Sequence, residues 1–146
     1  MNAGEGMVLH FSIAGGDFAA AGEASSRIKA TLRQVGLSAD LIRRIAIATY
    51  EAEMNVVIHA TAGQINVRIN PTQVEVETID RGPGIPDIEL AMREGYSTAP
   101  QAAREMGFGA GMGLPNMKRC ADKLVIESQV GHGTTVRLRF DLKGGH

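Results

Sequence analysis

The chain has 146 residues, 44% hydrophobic and 21% charged, with a formal net charge of -1, which suits one soluble globular domain with a real core. The near-neutral balance removes the electrostatic case for nonspecific nucleic-acid binding or for an anionic membrane surface, and aromatics at 4% with no Trp weaken a base-stacking role. A single cysteine, Cys120, rules out an intrachain disulfide.

In chain order, Met1 to Met7 carries no basic residue and no apolar run, so no signal peptide is expected there. No stretch approaches the roughly 20 apolar residues of a membrane span, and a cytoplasmic location is expected. Val8 to Ala14 alternates as a first strand. Phe18 to Val35 reads as a helix with Ile28, Leu32 and Val35 on one face, stopped by Gly36. Ser38 then stands as the N-cap of a long helix from Ala39 to about Ala60.

Two strands follow, Gln64 to Ile69 and Val74 toward Asp80, with Asn70 and Pro71 marking the turn between them. Pro86 and Asp87 open a short helix, Ile88 to Arg93. Glu94 to Gly113 has no clear period, and long irregular segments in compact domains are usually functional or disordered. Leu114 to Asp122 reads as a helix with Cys120 as a small core residue. Leu124 to Val130 and Thr135 to Leu142 form a hairpin about Gly131, His132 and Gly133. The order β-α-α-β-β-α-loop-α-β-β predicts an α+β, two-layer α/β sandwich with a mixed, mostly antiparallel sheet and helices on one face.

Three segments carry candidate chemistry. On the long helix, Leu41, Ile45, Ala48, Ala52 and Val56 face the core, and Ile47, Met54 and Ile58 flank them. Glu51 and Asn55 are four apart and share a face between these two sets. They suit a metal and base pair, with Asn55 a Mg²⁺ ligand and Glu51 a proton acceptor. An exposed edge of an amphipathic helix accounts for them as well. Glu53 points elsewhere and is expected in solvent. His59 is expected to be satisfied locally at the helix end, although a phosphoacceptor or metal role fits its spacing. No second histidine stands at ligand spacing, so zinc is not supported.

The second segment, Ile79 to Pro86, ends a strand at Asp80 and turns through Gly82, Pro83 and Gly84. Asp80 can accept from an exocyclic amine, and Gly84 lets a flat ring approach the backbone. An ordinary turn uses the same residue types. The third segment is Gly107-Phe108-Gly109-Ala110-Gly111-Met112-Gly113-Leu114, running into a helix. Alternating glycines and a helix N-terminus favour phosphate. A flexible linker would look similar. No strand directly precedes these glycines, so a dinucleotide fingerprint is rejected, and no Lys with Ser/Thr follows as in a P-loop.

With the three segments in this order, and G-H-G-T-T-V near the end, the chain resembles the GHKL ATPase superfamily of gyrase, MutL and the histidine kinases. More narrowly it resembles the bacterial anti-sigma factor and serine-protein kinase family of the RsbW, SpoIIAB and RsbT type, over about Val8 to Leu142. The resemblance implies the Bergerat fold and one ATP-binding kinase domain over 1–146, with a lid at 94–113 and flexible ends at 1–7 and 143–146. It implies Glu51 as general base and Asn55 as Mg²⁺ ligand. It implies Asp80 on the adenine amine, Gly84 under the ring and Thr134 supporting adenine through water. Gly109, Gly111, Met112, Gly113 and Leu114 fall at the phosphate-binding end of the lid.

ATP or ADP with Mg²⁺ are the implied cofactors. The implied activity is serine/threonine phosphorylation of a STAS-domain anti-sigma factor antagonist in partner switching. The alternative is a nucleotide-gated anti-sigma factor or binding module, with Tyr96, Phe108 and Met112 as contact candidates. A sigma factor or a phosphatase are further implied partners, nucleic acid and membrane are not, and homodimers are frequent among anti-sigma members. D-R-G-P-G-I-P-D-I, Gly95 to Thr98 and G-A-G-M-G-L-P-N-M-K-R are closest to the RsbT-like switch kinases, while the lid length at Ala99 to Met106 is nearer the anti-sigma type. No dimerisation helix with a phosphoacceptor histidine precedes the domain, so a complete histidine kinase is not expected.

Overall fold

Two-residue alternation in five segments and four-residue apolar spacing in two longer ones sort the chain into a sheet and its covering helices. The structure, a computed structural model, describes residues 6–93 and 113–142. In chain order these form β1 (Met7–Ala14), α1 (Glu23–Val35), α2 (Ala39–His59), β2 (Ala62–Ile69), β3 (Gln73–Arg81), α3 (Ile88–Ala91), α4 (Gly113–Cys120), β4 (Lys123–Gln129) and β5 (Gly133–Asp141). The strands make one sheet in the order β1-β2-β3-β5-β4. Every neighbouring pair is antiparallel, so the expected mixed sheet has no parallel pair among the described residues. The reason lies in the connections: two tight hairpins join β2 to β3 and β4 to β5, and a pair of helices, not a single crossover helix, separates β1 from β2.

The inward face of the sheet carries Ile65, Val67 and Ile69 on β2, Val74, Val76 and Thr78 on β3, and Val136, Leu138 and Phe140 on β5, all buried. Against it lie Ile28 and Leu32 of α1, Ile42, Ile45, Ala48 and Ala52 of α2, and Leu114 and Met117 of α4. Each fully buried Val, Leu, Ile, Met or Phe among them contributes about 1.5–3 kcal/mol by leaving water. The predicted stripe on α2 is therefore the core contact, with Leu41 only partly buried at its start. Cys120 also sits at the margin of this core, partly buried, and its carbonyl accepts from Arg44 Nε at 3.0 Å. Among the described residues no helix is long and apolar enough to cross a membrane.

Helix ends follow local chemistry. Ser38 Oγ accepts from Leu41 N at 3.2 Å and starts α2. Asp87 Oδ1 does the same for α3 through Leu90 N at 3.1 Å. α1 starts at Glu23, not at Phe18. What fixes its start is a side chain from α2. Glu53, expected in solvent, is 1% exposed. Its Oε2 accepts from Gly22 N at 2.9 Å, and its Oε1 accepts from Ser25 N at 3.0 Å and Ser25 Oγ at 2.6 Å. A carboxylate here meets the free N–H groups and the positive end of the α1 dipole, which is why burial of this charge is tolerated.

The outward face of the sheet is mostly polar, with Val8 and Ile79 exposed on it, and one polar row runs across all five strands. His10 Nδ1 donates to Asn66 Oδ1 at 2.6 Å, and Asn66 Nδ2 donates to Glu77 Oε1 at 3.4 Å. Arg137 Nε donates to Glu77 Oε2 at 3.1 Å, and Arg137 also bonds Glu127.

Candidate nucleotide site

The site is built where the last two turns of α2 pass over the end of β3. Asp80 continues the inward row of Val74, Val76 and Thr78 by one step, so its carboxyl faces the helices at the margin of the core. It pairs with Gly63 of β2. A Cβ at Gly63 would stand 2.7 Å from Val56 Cγ1 and 3.2 Å from Asp80 Cβ. The missing side chain thus lets Val56, next in sequence to Asn55, come down beside Asp80.

Asp80 Oδ1 accepts from Thr134 N at 3.0 Å. Burial pushes the Asp80 carboxyl above its ordinary value, and the Thr134 N–H partly offsets the rise. Thr134 is itself buried, and its Oγ1 shares a 2.8 Å hydrogen bond with Ser128 Oγ. Ser128 Oγ also accepts from Ile85 N at 2.7 Å, which ties the Gly82–Gly84 turn to the β4–β5 hairpin. Gly84 has φ +79, and a Cβ there would fall 2.6 Å from the Gln129 carbonyl oxygen. Its glycine is therefore demanded by the hairpin backbone beneath it as well as by its left-handed conformation. Gly133, with φ +153, is tighter still: a Cβ would lie 2.0 Å from the Asp80 carbonyl oxygen.

At the other end, Glu51 and Asn55 stand half-buried on α2. Gly113 opens α4 directly opposite them: a Cβ at Gly113 would meet Asn55 Oδ1 at 3.5 Å and Glu51 Oε2 at 3.7 Å. Leu114, Pro115 and Met117 anchor α4 in the core, so Leu114 can offer only its backbone to a ligand. Asn116 Nδ2 donates to Glu51 Oε2 at 3.0 Å. Tyr50, next in sequence to Glu51, has its phenol pushed up by burial and then by the charges of Glu51 and Glu53. His59, in the last turn of α2, is pushed down by burial and is neutral at pH 7.

The structure thus brings Glu51, Asn55 and Gly113 together, and joins Asp80, Thr134 and Gly84 one helical turn further along. Gly109, Gly111, Met112 and the contact candidates Tyr96 and Phe108 lie outside the described residues. Three residues escaped the sequence reading. Glu53 and Asn116 act through long-range hydrogen bonds that no local pattern announces, and Ser128 ends the inward row of Leu124 and Ile126 with nothing local to mark its partners. Asn116 falls in the run L-P-N-M-K-R, where only its helical spacing from Gly113 marks it.

The donor set suits a magnesium nucleotide. The Asn55 amide oxygen, with a glycine-opened space in front of it, matches a hard cation that takes few protein oxygens and the rest from phosphates and water. At the far end, a half-buried carboxylate with one oxygen held by a backbone N–H suits an amine donor on a flat ring.

This combination is that of an ATP-binding domain of the GHKL class, an antiparallel sheet covered by helices with a candidate site at the C-terminal end of α2. Residues 16–140 match the histidine kinase-like ATPase domain, and the chain belongs to that family. Within it, the chain is 34% identical over 98 residues to the serine/threonine-protein kinase RsbT of Bacillus subtilis, covering 64% of this chain and 68% of the relative. It is 32% identical over 118 residues to the anti-sigma F factor of Geobacillus stearothermophilus, covering 77% of each. It is 35% identical over 116 residues to the anti-sigma F factor of Caldanaerobacter subterraneus, covering 76% of this chain and 78% of the relative.

Proposed function

We propose that this protein is an ATP-dependent serine/threonine protein kinase acting on a STAS-domain partner in a bacterial partner-switching pathway. The observation that carries the reading is the convergence of Glu51, Asn55 and Gly113 near the C-terminal end of α2, with Asp80 and Thr134 beside the last turn of the same helix. The similarity to a serine/threonine-protein kinase supports it.

Asp80 would accept from the adenine amine while Thr134 N–H keeps the carboxyl in place. Gly84 and the hairpin backbone would form the floor under the ring. Asn55 Oδ1 would hold Mg²⁺, which when bound neutralises charge on the phosphates. The Gly113 backbone at the start of α4, with Gly109, Gly111 and Met112, would hold the terminal phosphate. Glu51 would take the proton from the acceptor hydroxyl. In phosphoryl transfer most of the barrier lowering comes from such positioning and electrostatics.

A second reading, a nucleotide-gated anti-sigma factor, is supported by the similarity to anti-sigma F factors over 77% of the chain. Incubation with Mg²⁺, γ-labelled ATP and purified STAS-domain proteins separates the two. Label on a STAS serine or threonine supports the kinase. A nucleotide-dependent complex with a sigma factor and no label would refute it in favour of the binding module.

A further inference from the structure

We propose that Asn116 is the positioning residue for the Glu51 carboxylate, and that it ties the base to the helix whose first residue opens the phosphate end of the site. The inference rests on the kinase reading above and adds to it a residue that reading does not use.

The geometry begins with spacing. Gly113 and Asn116 are three apart on α4, so they share the face turned toward α2. Gly113 stands before Asn55 and Glu51, and Asn116 reaches Glu51 Oε2 through Nδ2 at 3.0 Å. One turn further on, Arg119 Nη2 donates to Asn116 Oδ1. That second bond settles which way the amide faces. A flipped amide would set Oδ1 against the carboxylate and its NH₂ against the guanidinium, opposing like partners at both ends. The row Arg119–Asn116–Glu51 therefore has one sense, donor to acceptor throughout.

A glutamate side chain has three rotatable bonds, and a base must lie within about 2.6–3.2 Å of the proton it takes. Holding Oε2 leaves Oε1 as the oxygen offered to the acceptor hydroxyl. Because the holder sits on α4, the base is set only when α4 is docked through Leu114, Pro115 and Met117. The carboxylate and the start of the phosphate cradle are then placed by one rigid element.

The test is a set of variants of the full chain, measured for ATP affinity and for phosphate transferred or released from Mg²⁺-ATP. Asn116→Ala should lower turnover about 10–100-fold with ATP affinity within about threefold of wild type. Asn116→Asp keeps the shape but replaces the donor by an acceptor, and should fall at least as far; it also serves if the alanine variant does not fold. In a Glu51→Ala background, adding Asn116→Ala should change turnover no further. Wild-type turnover in Asn116→Asp, or parallel loss of ATP affinity in both variants, would overturn the role given to Asn116 and leave the kinase reading standing. A wild-type protein that neither transfers nor releases phosphate would instead refute the kinase reading, and the role of Asn116 with it.

Discussion

Replacing Glu53 by alanine should destabilise the fold far more than its neighbours on α2 suggest. In sequence it is one of two glutamates two residues apart, and an exposed glutamate changed to alanine shifts stability by no more than about 0.5 kcal/mol. In the structure it is 1% exposed and accepts from Gly22 N, Ser25 N and Ser25 Oγ. Each buried donor left without an acceptor costs about 1–3 kcal/mol. Partial relaxation and entry of water reduce the sum, so the expected loss is about 3–5 kcal/mol, the range for breaking one side of a buried charged contact. Against a total stability of about 5–15 kcal/mol this is a large fraction. At about 2–4 °C per kcal/mol for a chain of this size, Tm should fall by roughly 10 °C. Glu53→Gln retains an acceptor oxygen but turns an NH₂ toward one of the donors, and should lose about half as much. Urea unfolding followed by circular dichroism, at fixed protein concentration and without nucleotide, reads both. A loss under 1 kcal/mol for Glu53→Ala would refute the account of how α1 is started and held to α2.

Gly133→Ala should cost at least about 2 kcal/mol, because its Cβ would meet the Asp80 carbonyl oxygen at 2.0 Å in a backbone conformation that side chains avoid; thermal melting checks it. Asp80→Asn should separate stability from binding. The folded protein holds the Asp80 proton more tightly than the unfolded chain does. The stability from this group is therefore full below the ordinary aspartate range and is lost as pH rises through the raised folded value. Above the ordinary aspartate range the buried carboxyl adds no stability, so Asp80→Asn should melt no lower than wild type at pH 7. Its ATP affinity should fall about 10–100-fold, the worth of a charged hydrogen bond. Calorimetric titration at pH 7 tests this, and unchanged affinity would remove Asp80 from the site.

The sheet and both long helices were legible because their apolar residues repeat at two clean periods, and because Ser38, Gly36 and Asp87 mark ends by chemistry confined to a few neighbouring residues. The start of α1 was not, since its cap comes from Glu53, about thirty residues away in sequence. The same distinction divides the site. Glu51 with Asn55, and Asp80 with its glycine turn, are patterns within one element. Asn116 reaching Glu51 and Ser128 reaching Ile85 cross between elements, and nothing local in the sequence records such a contact. Gly84 was expected to make room under a flat ring; its left-handed φ and the Gln129 carbonyl 2.6 Å from its absent Cβ supply a reason in the chain itself.

The proposed division of labour, one site that binds the nucleotide and Glu51 in it as the base, is tested most directly by Glu51→Ala, with ATP affinity and phosphoryl transfer measured on the same preparation. Transfer should fall by at least about 100-fold, within the span of general base catalysis, while the affinity for ATP stays within about threefold because Glu51 is not given a binding role. Transfer that survives the substitution would remove Glu51 from the chemistry.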